Sequence, residues 1–231
     1  MTGRVAIVSG GTGALGRAVS GRLLSAGAVV CVPYAVESEL GGLRAGLDPS
    51  LRSRLDATRA DVTDERQFGE FVRGVLDRHR RVDVLVNGVG GFAGGDLAST
   101  SLADWQRMLT LNLTSAFVGC RGVLPAMMAA RSGRIINIAS RAVIPPMGGI
   151  IAYTVSKAGV ITLTQALAQE VRQHGITVNA VLPSTMDTPA NRSAMPDADR
   201  SGWVSPASVA EVIAFLASDQ AAAVSGAAIP V

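Results

Sequence analysis

Val5-Ala6-Ile7-Val8-Ser9-Gly10-Gly11-Thr12-Gly13-Ala14-Leu15-Gly16 decides how the rest of this chain is read. The apolar run that ends at Ser9 has the character of a buried strand. From Ala14 to Ala26 the pattern turns helical, with Leu15, Val19, Leu23 and Leu24 on one side. Glycines at the junction let the backbone turn sharply and approach a ligand closely. A helix starting there offers unpaired N–H groups to the phosphates of a dinucleotide. Glycine-rich segments also make plain tight turns. The position directly after the first strand is what favours the dinucleotide.

The alternation continues outward from this unit. Further strands are expected at residues 28–32, 55–61, 82–87, 134–140, 176–182 and 227–231. Helices are expected at 37–47, 64–78, 102–131, 150–174 and 206–218, with Gly175 as the left-handed cap that ends the fourth of these. Strands that are apolar almost throughout, separated by helices, predict an α/β fold. It is a doubly wound parallel sheet of seven strands with helices on both faces, in one domain spanning 1–231. Residues 183–205 form the longest irregular stretch, rich in Ser, Pro, Asp, Asn and Met. A loop of that length in a compact domain reads as a lid over a substrate site.

Composition narrows the classes. Hydrophobic residues make up 48% of the 231, which fits a folded globular chain. A formal charge of +3, with no aromatic-basic platform, argues against nucleic acid as a partner. Arg78-His79-Arg80-Arg81 closes an amphipathic helix and reads as solvated cations beside the helix dipole. Cys31 and Cys120 have no metal-ligand spacing and lie in apolar segments, so no metal is expected. The start of the chain shows no cleavable signal, and no apolar run is read as long enough to span a bilayer. The expectation is a cytoplasmic protein with no membrane partner.

Several polar residues fall at strand ends, where open α/β sheets bind ligands. Asp61-Val62 follows the third strand, and Asn87-Gly88 ends the fourth. Asp64 reads as a helix cap. Ser140 ends the fifth strand, thirteen positions before Tyr153. Tyr153 and Lys157, four apart on a helix, point the same way. Lysine and arginine total 21, and Lys157 is the one lysine. It therefore marks a place where arginine's bulky fork does not serve. An ammonium near Tyr153 favours the phenolate, so Tyr153 becomes a candidate acid and base. Ser140 would bond a substrate oxygen, and Asn112 would hold a water connecting Lys157 to solvent.

With these motifs in order, the chain resembles the short-chain dehydrogenase/reductase family along essentially its whole length. The glycine-rich turn, Asp61-Val62, the Asn87 loop, Asn112, Ser140, Tyr153-x-x-Ser156-Lys157 and Pro183 through Thr188 carry the likeness. The resemblance implies a Rossmann fold of strand order 3-2-1-4-5-6-7, usually dimeric or tetrameric. It implies an NAD(P)-dependent oxidoreductase that moves hydride between the nicotinamide and a small-molecule carbonyl or alcohol. The catalytic residues implied are Asn112, Ser140, Tyr153 and Lys157, with Tyr153 as general acid/base. The cofactor would meet Gly10, Thr12, Ala14, Leu15, Gly16, Tyr34, Asp61, Val62, Asn87, Gly88, Tyr153, Lys157, Pro183, Thr185 and Thr188. The substrate would meet Phe92, Ile144 and Trp203.

Three positions depart from the family pattern: Ala14 for a glycine, Gly88 for an asparagine and Ser184 for a glycine. The first turn, Gly90 to Gly95 and Leu182 to Asp199 resemble dihydropteridine reductases more narrowly, which makes quinonoid pterin reduction the alternative activity. Ser140 is the residue that favours carbonyl chemistry over it. A nucleotide-binding sensor without turnover is the alternative of another class, disfavoured by the intact catalytic four. Pro33-Tyr34-Ala35 ends the second strand with neither an acid nor an arginine. Without a carboxylate to repel a 2′-phosphate, the expectation leans to NADPH.

Overall fold

The computed structural model describes residues 1–231. Seven strands form one sheet in the order β3-β2-β1-β4-β5-β6-β7. They are β1 (Val5–Ser9), β2 (Val29–Tyr34), β3 (Leu55–Arg59), β4 (Val84–Asn87), β5 (Gly133–Ile138), β6 (Ile176–Leu182) and β7 (Ala228–Pro230). Every pairing is parallel. The helices are α1 (Ala14–Ser25), α2 (Glu37–Gly46), α3 (Glu65–His79), α4 (Leu102–Met108), α5 (Ser115–Ala130), α6 (Ile151–Val171), α7 (Pro189–Ala194) and α8 (Pro206–Leu216).

Strand periodicity explains the two cores. Ala6 and Val8 face one side of the sheet with Val30 and Val32, under Leu15, Val19 and Leu23 of α1 and Val209 and Ile213 of α8. Val5, Ile7, Cys31 and Leu85 face the other, under Phe68 and Val72 of α3, Val123 of α5 and Val171 of α6. Phe68 is fully buried, and a Cβ added at Gly122 of α5 would come within 2.9 Å of its ring. Truncating Phe68 to alanine would cost about 3–5 kcal/mol, as for other buried phenylalanines.

The expected elements are all present, with shifted ends. β2 continues two residues beyond Val32, through Pro33 to Tyr34. Proline is tolerated because its neighbours' groups carry the ladder, and Tyr34 still accepts from Ala60 N. A 3₁₀ turn at Pro49–Arg54, capped by Asp48, was not foreseen. Residues 183–205 are less irregular than expected, because α7 lies within them. Pro189 at its first turn and Thr188 Oγ1, which accepts from Asn191 N at 3.2 Å, start that helix. Gly175 does adopt the left-handed conformation, at φ 69°.

The expected helix 102–131 is one helical stretch with a break in its winding. Between α4 and α5, Leu109–Thr114 forms a wider π-helical turn. The membrane expectation needs amendment here: Leu102–Ala130 is 29 residues and is long and apolar enough by length and composition to cross a bilayer. In the fold, however, α5 packs on α3 and α4 packs on α6. Asn112, at the π-helical turn, is buried within the protein.

Candidate active site

The carboxyl ends of β1, β4, β5 and β6 lie side by side, and the site is assembled along that edge. Ser9 and Asn87 are register partners. Gly88 N donates to Ser9 O at 3.1 Å, so the loop after β4 closes onto the glycine-rich turn. Gly10 has φ +68°, and a Cβ there would lie 2.8 Å from the Gly88 carbonyl. At Gly16 a Cβ would sit 1.9 Å from Gly10 O. Neither position tolerates a side chain, and the first helical turn is thereby drawn up against the loop. Gly13 caps α1 without any side-chain hydrogen bond. The first N–H groups of α1 are left for a ligand, which is what a pyrophosphate requires. The residues present fit a nicotinamide dinucleotide on this ground. Ala14 and Leu15 begin the helix that supplies those donors.

Where α2 approaches the glycine-rich turn, Thr12 Oγ1 donates to Glu39 Oε2 at 2.8 Å. Arg17 Nε donates to Thr12 O at 2.7 Å and its other arm to Glu39 O at 3.3 Å. Tyr34 ends β2, where a hydrogen bond to Glu37 raises its phenol's pKa. Asp61 Oδ1 accepts from Thr63 N and Thr63 Oγ1 at 2.8 and 2.7 Å, which fixes the turn carrying buried Val62. Asp64 caps α3 as read from the sequence, accepting from Arg66 N and Gln67 N.

Asn87 is placed differently from its expected cofactor-facing role. Its side chain turns inward and donates from Nδ2 to Asn137 Oδ1 at 2.8 Å and Ala116 O at 3.3 Å. Its Oδ1 is buried with no partner, and a Cβ at Gly119 would meet it at 2.1 Å. The side chain braces β4, β5 and α5, and only the Asn87 backbone belongs to the ligand edge.

The four expected catalytic residues converge. Lys157 is buried, and its Nζ donates to Ile138 O at 2.7 Å. Burial pushes the ammonium down to about 8. Tyr153, one turn earlier on α6, is held above the ordinary phenol range by burial, partly offset by a hydrogen bond with Ser140. The expected lowering of Tyr153 by Lys157 is therefore not a property of the protein alone, where desolvation dominates. Ser140 Oγ also accepts from Ala142 N at 3.2 Å.

Asn112 is directed by the π-helical turn into a pair of bonds with one residue. Gly91 N donates to Asn112 Oδ1 at 2.9 Å, and Asn112 Nδ2 donates to Gly91 O at 3.1 Å. The same Nδ2 reaches Ser156 Oγ at 2.9 Å, and Ser156 Oγ donates to Tyr153 O at 2.8 Å. Gly90 lies over this group: a Cβ there would be 2.7 Å from Asn112 Oδ1 and 3.2 Å from Lys157 Nζ.

Of the three expected substrate residues, Phe92 is the one in contact with Tyr153. Phe92 is 64% exposed and Ile144 56%. The Phe92 ring meets Tyr153 edge-on, at 5.1 Å between centroids. Gly95 N donates to Gly149 O, and Ile151 N donates to Gly95 O, which ties the Phe92 loop to the start of α6. Trp203 is half-buried under Arg200, whose guanidinium lies 5.7 Å from the ring centroid. Residues 185–204 form a closed excursion: Val204 N donates to Thr185 O and Asp187 N to Val204 O. Thr185 stays exposed at its base, Pro183 is buried, and Thr188 is buried as the α7 cap. Sequence reasoning passed over Glu39 and the bracing role of Ser156, and it read Gly90 only as one of several loop glycines. Ser156 left a signal, its place between Tyr153 and Lys157, whereas Glu39 left none.

Comparison with known proteins bears on the family and the fold. A family model described as short chain dehydrogenase matches residues 4–199. The 3-oxoacyl-[acyl-carrier-protein] reductase of Synechocystis is 35% identical over 228 residues, covering 96% of this chain and 92% of that protein. The enzyme of that name from Thermotoga maritima is 32% identical over 235 residues, covering 98% and 95%. The crystal structure of levodione reductase superposes with a TM-score of 0.91 at 28% identity, covering 100% of this chain and 96% of that one. The chain belongs to the short-chain dehydrogenase family. It is an NAD(P)-dependent oxidoreductase acting between carbonyl and alcohol groups.

Proposed function

We propose that Tyr153 is the general acid/base of a carbonyl reductase whose substrate enters between Phe92, Ile144 and the 183–205 lid. The observation that carries this reading is the convergence of Tyr153, Ser140 and buried Lys157 at one strand edge. A bound nicotinamide supplies or takes the hydride. In reduction, the carbonyl carbon gains that hydride and its oxygen gains the proton of the Tyr153 hydroxyl. Ser140 donates a hydrogen bond to the same oxygen and orients it. Lys157 holds positive charge beside the phenolate so formed, and a proton from solvent restores Tyr153. Oxidation of an alcohol runs the same transfers backwards.

Gly10, Thr12 and the start of α1 would hold the pyrophosphate. Tyr34, Asp61 and Val62 would border the adenosine, and Gly88 the adjoining ribose. Tyr153 and Lys157 would meet the nicotinamide ribose, with Pro183, Thr185 and Thr188 beside its ring. Pro33-Tyr34-Ala35, at and just after the end of β2, carries no carboxylate; taken alone that segment favours NADPH, and the preference turns on whether another acid reaches the ribose. The exposed apolar rim supports a carbonyl compound with an apolar body, and 3-oxoacyl thioesters, the chemistry named by its relatives, are a first choice. Phe117 of α5 and Val155 of α6, 46% and 38% exposed, support burial between copies in a homodimer or homotetramer. Two free, buried cysteines fit a reducing, cytoplasmic setting.

The test is oxidation of reduced nucleotide against a panel of 3-oxoacyl thioesters, cyclic diketones and quinonoid dihydropterin. Ketone turnover that collapses in Tyr153→Phe, with nucleotide binding retained, is the expected result. Pterin turnover alone would favour the dihydropteridine reductase reading, and nucleotide binding without turnover of any carbonyl would favour a sensor.

A further inference from the structure

We infer that Glu39 sets the choice of nucleotide: it supplies from α2 the carboxylate that β2 lacks, and so favours NAD(H) over NADP(H). The inference rests on the dinucleotide reading of the same edge. Thr12 lies inside the glycine-rich turn, is buried, and gives its hydroxyl to Glu39 Oε2 at 2.8 Å. Glu39 is in the first turn of α2, the helix that follows β2. Its carboxylate therefore lies over the carboxyl ends of the paired strands β1 and β2, the side of the sheet on which the adenosine ribose of a dinucleotide lies. A carboxylate only accepts hydrogen bonds. It suits the two free hydroxyls of an adenosine ribose and repels a phosphate esterified to one of them.

The neighbouring charges do not cancel this. Arg17 is the cation nearest the turn. Its Nε is committed to Thr12 O and one arm to Glu39 O, both backbone oxygens. Its guanidinium also packs on Gly42, where a Cβ would approach within 2.6 Å. Arg17 therefore fastens α2 to the glycine-rich turn and holds Glu39 in place. Arg44 and Arg59 act on the Tyr34 hydroxyl, which Glu37 already engages. None of the three has a bond to the Glu39 carboxylate. The side-chain hydrogen bond that joins α2 to the turn is accepted by a carboxylate.

The experiment is calorimetric titration of the intact protein with NAD+, NADP+, ADP-ribose and 2′-phospho-ADP-ribose. The unphosphorylated member of each pair should bind about tenfold or more tightly, the scale of a repulsive specificity element. Glu39→Gln should shrink that ratio to about threefold or less, chiefly by tightening the phosphorylated ligands, as removal of a repulsion does. Glu70→Gln, on α3 and paired with Arg66, should leave the ratio unchanged. Equal or tighter binding of NADP+ by the unaltered protein would overturn the assignment to Glu39 and leave the oxidoreductase reading standing. A Glu39→Gln variant that weakens all four ligands alike would do the same. Failure of all four ligands to bind would overturn the dinucleotide reading itself, and this inference with it.

Discussion

Phe92 stands edge-on to Tyr153, with ring centroids 5.1 Å apart and planes inclined at 64°. A ring that is 64% exposed is thus in contact with the proposed acid. Such pairs contribute about 0.5–1.5 kcal/mol beyond simple burial. Phe92→Ala should change stability by about that much or less, because little of the ring is removed from water. Its effect on activity should be larger: kcat/KM for apolar ketones is expected to fall about tenfold, a loss of roughly 1.4 kcal/mol of transition-state binding. Steady-state kinetics beside a thermal melt separates the two effects.

Only two tyrosines are present, so Tyr34→Phe leaves Tyr153 as the single phenol. Its ultraviolet titration should lie above the ordinary phenol value in the protein alone, because burial opposes the phenolate. Addition of oxidised nucleotide, which brings positive charge to the site, should move the titration to lower pH. A midpoint that ignores nucleotide would separate Tyr153 from the proposed chemistry.

Lys157 gives a stability prediction with a definite sign. Its folded pKa, about 8, lies below the ordinary lysine value of 10.5. Below about pH 8 the folded state bears a buried charge at a cost, and between those two values the unfolded chain binds more protons. This group therefore makes the protein more stable as pH rises through that window. Lys157→Met should be more stable than the unaltered protein at pH 7 by up to about 3 kcal/mol, since each tenfold loss of proton affinity on folding corresponds to about 1.4 kcal/mol. The lost bond to Ile138 O takes back part of that, about 1 kcal/mol. The difference between the two proteins should shrink by about pH 10, read from denaturant midpoints. Both Lys157→Met and Lys157→Arg should lose turnover, because neither leaves a compact ammonium there.

Gly90→Ala should be deleterious without any demand for left-handed backbone. The added Cβ would meet Asn112 Oδ1 at 2.7 Å and stand 3.2 Å from Lys157 Nζ. Asn112 cannot retreat without breaking its bonds to Gly91 and Ser156. Turnover should drop about tenfold to a hundredfold, as a misplacement near an ångström does. Secondary structure by circular dichroism should be retained.

The parallel sheet was readable because each strand's apolar run is bounded by turn residues, and Gly10 and Gly16 mark a junction where backbones crowd; the strand order came from the family resemblance. Tyr153, Lys157 and Ser140 were readable from residue type and spacing. Asn87 was not, because a strand-end asparagine can face the ligand edge or brace a helix, and only the proximity of Asn137 and Gly119 decides between them. Glu39 was hidden for a related reason: it lies on α2, twenty-seven positions from Thr12, and nothing local announces the contact. The direction of the Tyr153 shift depended on how dry the site is, a property of packing that spacing does not carry.

The π-helical turn at Leu109–Thr114 gives the stretch between α4 and α5 one residue more per turn than an α-helix takes. Deleting a residue from that turn would let the helix wind regularly and gain ordinary backbone bonding. It would also rotate Asn112 away from Gly91 and Ser156, by roughly the 100° that one α-helical residue spans. When relatives are aligned, a one-residue gap inside this segment is therefore a redirected side chain in disguise. A sequence comparison would score it as a trivial length difference in a helix, while the protein would have lost the aim of Asn112 at Gly91 and Ser156.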